Sequence, residues 1–450
     1  MKKDFIISII LIVAVAAACL SGCDAKLASE AVAEDKVHIS FSFWEPSVDN
    51  NLEKGLEAVI TNYKKIHPEV EIELISKPVS GYQEWMKEQF AANNAPTIES
   101  NHTSSILDQY NQGLVYDFKE ELDKVNEYDG VIWREKFSEK KLQQAHNRIS
   151  LPWFDLGVAY YYNKNIYSEL GLNVPETWNE FMANCEAIKN SGKNPIALMA
   201  QKRDAVTWLR WYIETGLVNE LVFRDKKIDA DGNKNITTEE MKEAVRNGTF
   251  DVTKGEYRKA LEMLLNEYVR YSGYAEKAIE LDETEAKQEF LIGNAAHIMS
   301  GSWDMKSFTD NKAEGVEIGA FSLPVFTEEN TEWVGDIPFI GGVQSIAITN
   351  SADEEQKAAA MNFLKFLFSE EQYKLFYETT LQMPTMKGFD IEEKYEPFQA
   401  SGWGAHTYYM LDEAENETIV DIMSGVDIDI DEMIKKIQEE NYEAAIRNKK

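Results

Sequence analysis

Apolar and polar residues alternate where the folded part of the sequence begins. At 37–43, in the stretch VHISFSFWEP, every second residue is apolar, which predicts a half-buried strand. Apolar residues then recur every three or four positions at 52–63, which predicts a helix that ends before Pro68. Alternation returns at 70–74. A strand, a helix and a strand in so short a stretch predict a βαβ unit with parallel strands.

Two later helices begin with capping signals. Thr177 is followed by Glu180, and Ser351 by Glu354, so each pair predicts a reciprocal N-terminal capping box. The second helix, AAAMNFLKFLFSEEQ, follows the apolar strand SIAITN. Because strands and helices alternate along most of the chain, we predict an α/β fold with helices on both faces of its sheets.

The first 22 residues have the features of an export signal. Two lysines precede an apolar run at 5–20, which is shorter than the roughly 20 residues that a membrane-spanning helix needs. The run ends in LSGC, which resembles a bacterial lipobox whose cysteine is lipidated. We therefore predict a signal peptide at 1–22, a lipid anchor on Cys23 and a flexible tether at 23–36. The alternative is a cleaved signal that happens to contain a cysteine.

Acidic residues dominate the charge of the chain. The 46 basic and 78 acidic side chains give a net charge of −32, and removing residues 1–22 makes it −33, since that segment carries two lysines and one aspartate. Such a surface repels phosphate backbones and anionic lipid headgroups, so nucleic acid is excluded as a partner. Membrane attachment would then depend on the lipid of Cys23.

The cysteines offer no disulfide once Cys23 carries a lipid. Cys185 shares helical spacing with Phe181 and Ile188, which predicts a buried, inert thiol. The fold therefore depends on its apolar core alone.

Signals for catalysis are weak. The sequence contains no P-loop, no G-x-G-x-x-G after the first strand, no H-E-x-x-H and no G-x-S-x-G. Paired carboxylates could serve a glycosidase, but a chain with 78 acidic residues forms such pairs by chance.

Tryptophans occur where predicted strands meet loops. Trp44, Trp153, Trp303 and Trp403 all occupy such positions, and ligands of open α/β sheets bind at the carboxyl ends of strands. An indole face suits the C–H patches of a pyranose ring, and nearby carboxylates and amides suit its hydroxyls. A single tryptophan could equally belong to the core, but four together favour a sugar site.

Three stretches of the chain have a specific order and spacing. They are LPWFDLGVAYYYNKNIYSELGLNVPETWNEF, FLIGNAAHIMSGSWDMKSF, and GGVQSIAITNSADEEQKAAAMNFLKFLFSEEQ followed by LQMPT. These motifs resemble those of the family 1 extracellular solute-binding proteins, the lipid-anchored receptors of carbohydrate ABC importers, similar in layout to maltose-binding protein. The second motif has His297 where a methionine is common. The resemblance implies a two-lobed, type II-like periplasmic-binding-protein fold. Each lobe is then a mainly parallel sheet flanked by helices, with hinge strands between lobes that close over a solute. We expect lobe 1 at 37–152 and 345–388, and lobe 2 at 153–344 and 389–450.

The resemblance also implies ligand-binding residues. Trp303 matches the tryptophan that stacks on the sugar, and Asp155 lies near a cleft-facing acid. The loop PTIESNHTSS implies contacts from Asn101, Ser104 and Ser105, although it lacks the Trp, Asp and Arg of maltose-binding relatives, so maltodextrin specificity does not carry over. The argument from strand ends adds Trp44, Glu45 and Trp153, and Trp403 is placed more loosely.

One segment, DADGNKNITTEE, has the spacing of an EF-hand calcium loop. Lys234 replaces the usual glycine at its sixth position. A structural Ca²⁺ and a chance acidic turn both remain open. The predicted ligands share side-chain or carbonyl oxygens and are Asp229, Asp231, Asn233, Asn235 and Glu240.

Together these features predict a non-enzymatic, lipid-anchored carbohydrate receptor on the extracytoplasmic face of the cell membrane. We expect a monomer that needs no cofactor and delivers a sugar or oligosaccharide to an ABC importer permease by lobe closure. One alternative is a secreted glycoside hydrolase. Another is the same fold binding a polyamine or peptide, which the acidic surface would suit.

Overall fold

The computed structural model describes most of the chain after residue 35. The described ranges are 36–45, 49–198, 203–229, 232, 236–275, 280–335, 341–389, 393–399, 408–410, 415–425 and 428–447. The signal peptide, Cys23 and nearly all of the predicted tether lie outside them.

Nine strands form the sheet framework. They are β1 (Val37–Glu45), β2 (Val70–Pro78), β3 (Ile98–His102), β4 (Leu151–Asn163), β5 (Asn194–Ile196), β6 (Ala295–Gly301), β7 (Ile318–Phe321), β8 (Gly341–Ile348) and β9 (Met383–Pro384) within the described ranges.

Helices connect most of these strands, and five of the described helices lie in succession between β5 and β6. The helices are α1 (Asn51–Ile66), α2 (Tyr82–Ala91), α3 (Thr103–Asn111), α4 (Glu139–Gln144), α5 (Lys164–Leu170), α6 (Trp178–Asn190), α7 (Arg203–Leu217), α8 (Asn219–Arg224), α9 (Thr238–Arg246), α10 (Gly255–Ser272), α11 (Glu283–Leu291), α12 (Met305–Asn311), α13 (Glu354–Leu367), α14 (Glu370–Thr380), α15 (Glu415–Met423) and α16 (Ile430–Ile446). Short 3-10 helices span Trp133–Lys136, Ser302–Asp304 and Glu393–Phe398.

The strand β4 belongs to two sheets. Its first half, to Gly157, pairs with β8 and β9, and β8 continues to β3, β1 and β2; we call these strands sheet 1. Its second half, from Val158, pairs with β6 and β7, and β6 continues to β5; we call these sheet 2. One continuous strand therefore links both sheets. The exact lobe boundaries that we gave above stay a prediction.

The predicted βαβ unit is confirmed, because β1 and β2 pair in parallel from Val37 opposite Val70. The prediction of mainly parallel sheets is wrong. Among the described strands, the pairs β1–β2, β1–β3 and β5–β6 are parallel, whereas β8 meets β3 and β4, and β4 meets β6, β7 and β9, in antiparallel fashion. The strands that connect the sheets run against their neighbours, so both sheets are mixed.

Capping confirms one helix start and corrects the other. Thr177 and Glu180 form the predicted capping box at the start of α6. The helix α13 is capped by Asp353 with Gln356, two residues after the predicted Ser351. Both pairs fit the capping pattern, and the turn that follows β8 takes up the two extra residues.

The core lies between the sheets and their helices. The inward face of α1 buries Leu56, Val59 and Tyr63, and Cys185 is buried on α6 as predicted. Burial raises the pKa of the Cys185 thiol, which keeps it protonated and inert. No helix within the described ranges is both long and apolar enough to cross a membrane.

Candidate functional site

Trp44 lies at the carboxyl end of β1, where the strand-end argument placed it. Its ring is tilted against that of His102 at the end of β3, with centroids 5.2 Å apart. Its indole Nε1–H lies 3.1 Å from the side-chain oxygen of Gln344 when that amide is oriented to accept from its neighbours. Trp44 keeps 6% of its surface exposed.

Glu45, the next residue, has a local structural partner. Its Oε2 accepts hydrogen bonds from the backbone N–H groups of Leu52, at 3.0 Å, and Glu53, at 3.4 Å. These are donors of the first turn of α1, which have no partner inside the helix. Glu45 therefore caps α1 and is half-buried beside the candidate site.

Asn101 is fully buried near the end of β3. Its Nδ2 donates to Glu99 Oε2 at 3.1 Å, and its Oδ1 accepts the backbone N–H of His102 at 2.8 Å and the Nε2–H of Gln83 at 2.5 Å. The amide is thus occupied within sheet 1 and its neighbouring helix. In this conformation Asn101 is a buried residue that holds the end of β3 in place through its hydrogen bonds.

Glu99 is the unusual member of that network, and the sequence analysis missed it. Burial raises the pKa of its carboxyl group to about 7, although hydrogen bonds from Asn101 and from Gln109 Nε2, at 3.3 Å, oppose the shift. Its Oε1 has no hydrogen-bond partner among the described residues. Apart from Ile98 the strand β3 consists of polar residues, so no sequence signal singled out Glu99.

Ser104 and Ser105 lie in the first turn of α3. Ser104 is exposed and Ser105 is half-buried, so both hydroxyl groups remain near the surface. The hydroxyl of the preceding Thr103 is within 3.1 Å of the Val343 carbonyl oxygen and of Ser345 Oγ on β8. The serines are therefore held at the edge of sheet 1, beside Asn101 and His102.

Trp153 lies in the core rather than at a surface. It is fully buried, and its ring stacks on Phe376 with centroids 5.0 Å apart and also contacts Phe41 and Phe154. Alternation along β4 does not reveal which face is covered by α14. The structure therefore corrects the ligand-binding prediction for Trp153, whose role here is packing.

Asp155 projects from β4 next to Lys141 of α4, and their side chains form a partly exposed ion pair. Burial raises the pKa of Asp155 even though Lys141 opposes that shift. Its Oδ1 is buried and has no hydrogen-bond partner among the described residues.

Trp303 follows the carboxyl end of β6, in the 3-10 turn of Ser302–Asp304. Its ring lies against Gly301, where any Cβ would come within 2.2 Å of the indole, and 9% of its surface is exposed. The ring of Trp208 from α7 meets it edge-on, with centroids 5.5 Å apart and an angle of 63°. Trp208 is a second, half-buried indole that the sequence analysis missed, because it lies within an ordinary amphipathic helix.

A buried ion pair supports the turn that carries Trp303. Lys287 Nζ lies 2.8 Å from Asp304 Oδ2 and 2.9 Å from Oδ1, and also 2.8 Å from Glu283 Oε1. Burial alone would lower the pKa of Lys287, but the two carboxylates outweigh it and raise the pKa. The turn is therefore fixed to α11.

The strand ends that carry Trp44 and Trp303 lead to segments that touch. Asn311, at the end of α12, donates from Nδ2 to Asp49 Oδ2 at 3.0 Å. Asp49 follows β1 closely, and α12 begins immediately after the Trp303 turn. The backbone N–H of Gly157, where β4 changes sheets, also donates to Ser302 Oγ at 3.3 Å. These contacts connect the segment that follows β1 with α12, and β4 with the turn that carries Trp303.

Other predicted residues are only partly covered by the structure. Trp403 lies outside the described residues. So do Asp231, Asn233 and Asn235 of the predicted calcium loop.

The two described ends of that loop have protein partners. Buried Asp229 accepts the backbone N–H of Gly232 on Oδ1 at 2.9 Å, and Glu240 Oε2 accepts the N–H and hydroxyl of Thr237 as the capping box of α9. Gly232, the fourth residue of the loop, has a φ of +71°, so the chain turns sharply there. No cluster of three acidic, histidine or cysteine side chains suited to a metal occurs in the described part of the chain.

Three cavities of about 390–560 Å³ lie elsewhere. One, of about 500 Å³, is lined by Asp225, Tyr257 and Trp333 among others, and none of the three is lined by a predicted ligand residue.

Comparison with known proteins gives the family. The bacterial extracellular solute-binding proteins match residues 49–374. The chain belongs to this family. The family resemblance and the periplasmic-binding-protein fold that the motifs predicted are both confirmed.

The names of similar proteins refer to different solutes. The multiple sugar-binding protein of Streptococcus mutans is 23% identical over 398 residues, which cover 87% of this chain and 85% of that protein. The sn-glycerol-3-phosphate-binding periplasmic protein UgpB of Rhizobium meliloti is 26% identical over 304 residues, 66% of this chain and 63% of that protein. A chitin oligosaccharide binding protein of known structure has 19% identity and a TM-score of 0.66, and the match covers 91% of this chain and 99% of the other.

Proposed function

We propose that this solute-binding protein is an extracellular receptor for a sugar or oligosaccharide. The ligand lies between the carboxyl ends of β1 and β3 in sheet 1 and of β6 in sheet 2. The multiple sugar-binding protein of S. mutans, which matches most of the chain, supports a carbohydrate as the solute. The receptor delivers it to the permease of an ABC importer.

The observation that carries this proposal is the placement of Trp44 and Trp303. Each lies at the carboxyl end of a strand, in a different sheet, and the segments that follow them meet at the Asp49–Asn311 hydrogen bond. Indole faces suit the C–H patches of a sugar ring, so each of these tryptophans is a candidate stacking residue. Asp155, Ser104 and Ser105 supply oxygen atoms for the ring hydroxyls.

The test is a thermal-shift screen of the purified protein with maltose, raffinose, chitin oligosaccharides, sn-glycerol 3-phosphate and spermidine. A ligand at 100 times its Kd adds about 2.7 kcal/mol to the free energy of unfolding, so a true ligand raises the Tm measurably. A shift with a carbohydrate supports the proposal. A shift with only sn-glycerol 3-phosphate or spermidine would mean that the solute is not a carbohydrate. Hydrolysis of a bound oligosaccharide would indicate a glycosidase.

We further propose that the protein is a monomer held at the membrane by a lipid on Cys23. The acidic chain has no electrostatic attraction to anionic lipids, so the lipid carries the attachment. Cys23→Ala should release the protein into the medium or block its processing. Full membrane retention of that variant would contradict the anchor.

A structural Ca²⁺ in the loop from Asp229 to Glu240 is a separate proposal. The acidic and amide residues at alternating positions supply the oxygen atoms that a hard cation needs. Glu240 would have to exchange its bond to Thr237 for the ion. EGTA should lower the Tm, and Glu240→Ala should remove that sensitivity. Identical melting curves in EGTA and in millimolar Ca²⁺ would leave the loop an acidic turn.

A further inference from the structure

The side-chain amide oxygen of Gln344 on β8 contacts residues of both β1 and β3 in sheet 1. Gln344 is almost fully buried, opposite His102 of β3 on one side and Phe154 of β4 on the other. Its amide oxygen lies 2.9 Å from Ser100 Oγ, 3.1 Å from Trp44 Nε1 and 3.3 Å from the backbone nitrogen of Asn101.

The orientation of this amide follows from its neighbours. An indole N–H and a backbone N–H can only donate, so the atom that faces them must be the oxygen and not the NH₂ group. The serine hydroxyl can donate to the same oxygen. Gln344 therefore accepts from the end of β1 and from the end of β3 at the same time.

This contact restricts the indole of Trp44. A buried indole N–H needs an acceptor, and leaving one without a partner costs more than a hydrogen bond contributes. The plane of the ring is therefore fixed by its packing against His102 on one side and by the position of the Gln344 oxygen at its edge. An aromatic ring that is already oriented loses less entropy when a ligand stacks on it.

We propose that Gln344 is a positioning residue for ligand binding, which holds Trp44 in the orientation that a sugar ring requires. This inference rests on the proposed function, and on Trp44 being part of the ligand site. Because β8 also pairs with the first half of β4, the orientation of Trp44 is coupled to the strand that links the two sheets.

The first experiment measures orientation without any ligand. In protein labelled with ¹⁵N-tryptophan, the Trp44 indole N–H signal is assigned by its loss in Trp44→Phe. We expect Gln344→Met, which removes the acceptor at similar volume, to move this signal and to speed its hydrogen exchange at least tenfold. An unchanged Trp44 signal would overturn the proposal.

The second experiment is a double-mutant cycle on affinity, with the panel sugar that binds the wild type. We expect Gln344→Met to weaken binding about tenfold in the wild-type background. In the Trp44→Phe background, which has no indole N–H to hold, the same change should alter Kd less than twofold. Equal losses in both backgrounds would mean that Gln344 acts on the fold or on another contact, and would overturn its role in positioning Trp44.

Gln382 provides the matched control. It is as buried as Gln344, and its side-chain nitrogen and oxygen have no hydrogen-bond partner among the described residues. Gln382→Met should leave Kd and the Trp44 signal unchanged. If no panel compound binds the wild type while Gln344→Met still moves the Trp44 signal, the proposed function fails and Gln344 orients Trp44 for packing alone.

Discussion

Each sheet buries a carboxylic acid near a strand end that leads to the candidate site, and the two acids are stabilised differently. In sheet 1, the side-chain partners of Glu99 among the described residues are the amides of Asn101 and Gln109, and burial raises its pKa to about 7. In sheet 2, Asp304 has the ammonium of Lys287 within 2.9 Å of both oxygens and the hydroxyl of Ser300 at 2.5 Å. A buried carboxyl group can therefore be stabilised by a counter-charge or by taking up a proton.

The difference predicts opposite sensitivities for the two regions. The Asp304 region depends on keeping both charges, so the loss of one partner should be costly at any pH near neutrality. The stability of the Glu99 region should depend on pH, because its buried carboxyl group loses its proton as pH rises and the resulting charge is poorly solvated. Four measurements break or sharpen this comparison.

The largest effect should come from removing the cation of sheet 2. Lys287→Met leaves Asp304 buried without its counter-charge and should lower the free energy of unfolding by about 3–5 kcal/mol, measured by urea denaturation at pH 7. The double change Lys287→Met with Asp304→Asn should recover more than half of that loss. The control is Lys306→Met, which removes a partly exposed lysine paired with Asp310 and should cost less than about 1 kcal/mol. Similar losses for both lysines would contradict the importance of the buried pair.

Neutralising Glu99 should reveal the pH dependence of sheet 1. A folded-state pKa of about 7 lies above the ordinary value of 4.5, so this group favours the folded state below pH 4.5, and that contribution is lost as pH rises through 7. One pKa unit corresponds to about 1.4 kcal/mol. The free energy of unfolding of Glu99→Gln should therefore rise by about 3 kcal/mol relative to that of wild type between pH 4.5 and pH 8. The exposed Glu84→Gln should show no such trend. If the free energy of unfolding changes with pH in the same way for Glu99→Gln and for wild type, the pKa of Glu99 is not raised.

His297 should show the reverse sign in sheet 2. It is fully buried, with Nδ1 2.8 Å from the Pro195 carbonyl oxygen and Nε2 2.7 Å from Tyr167 Oη, and burial lowers its pKa to about 4. Its neutral form stabilises the fold above pH 6.5, and that contribution is lost as pH falls through 4. From pH 7.5 to pH 5 the wild type should lose about 2 kcal/mol that His297→Met does not lose. Equal acid slopes for the two proteins would show that His297 does not control acid stability.

The smallest effect concerns the two tryptophans and is measured on ligand affinity by calorimetry. Trp303→Ala should weaken sugar binding about tenfold, or about 1.4 kcal/mol, because its face borders the proposed ligand. Trp153→Phe should destabilise the core and leave Kd within about twofold. If Trp303→Ala binds as tightly as wild type, Trp303 is a packing residue like Trp153.

Much of the framework could be predicted from local patterns. The alternation at 37–43 and 70–74 predicted β1 and β2, and the capping residues predicted the start of α6. The start of α13 was displaced by two residues because two overlapping pairs satisfy the same capping pattern. The mixed direction of the sheets could not be predicted, since strand direction depends on where the connecting segments return the chain.

The candidate site was predicted less completely. Trp44 and Trp303 were identified because strand ends and family motifs are visible in the sequence. Trp208 and Gln344 were missed because their roles come from contacts across long sequence separations, with Trp303 and with Trp44. Glu99 was missed because its burial and its contact with Gln109 of α3 arise from tertiary packing, which the residues of β3 do not reveal.

The sequence by itself determined the elements, their alternation and the family, because periodicity, capping and motif spacing are local properties of the chain. Only the tertiary structure decided which aromatic and acidic side chains border the candidate site. Trp153 and Trp303 both lie where a predicted strand meets a loop, yet Trp153 is fully buried against α14, whereas Trp303, which packs over Gly301, keeps 9% of its surface exposed. The period of two along a strand assigns side chains to its two faces, but what covers each face is set by distant segments of the chain.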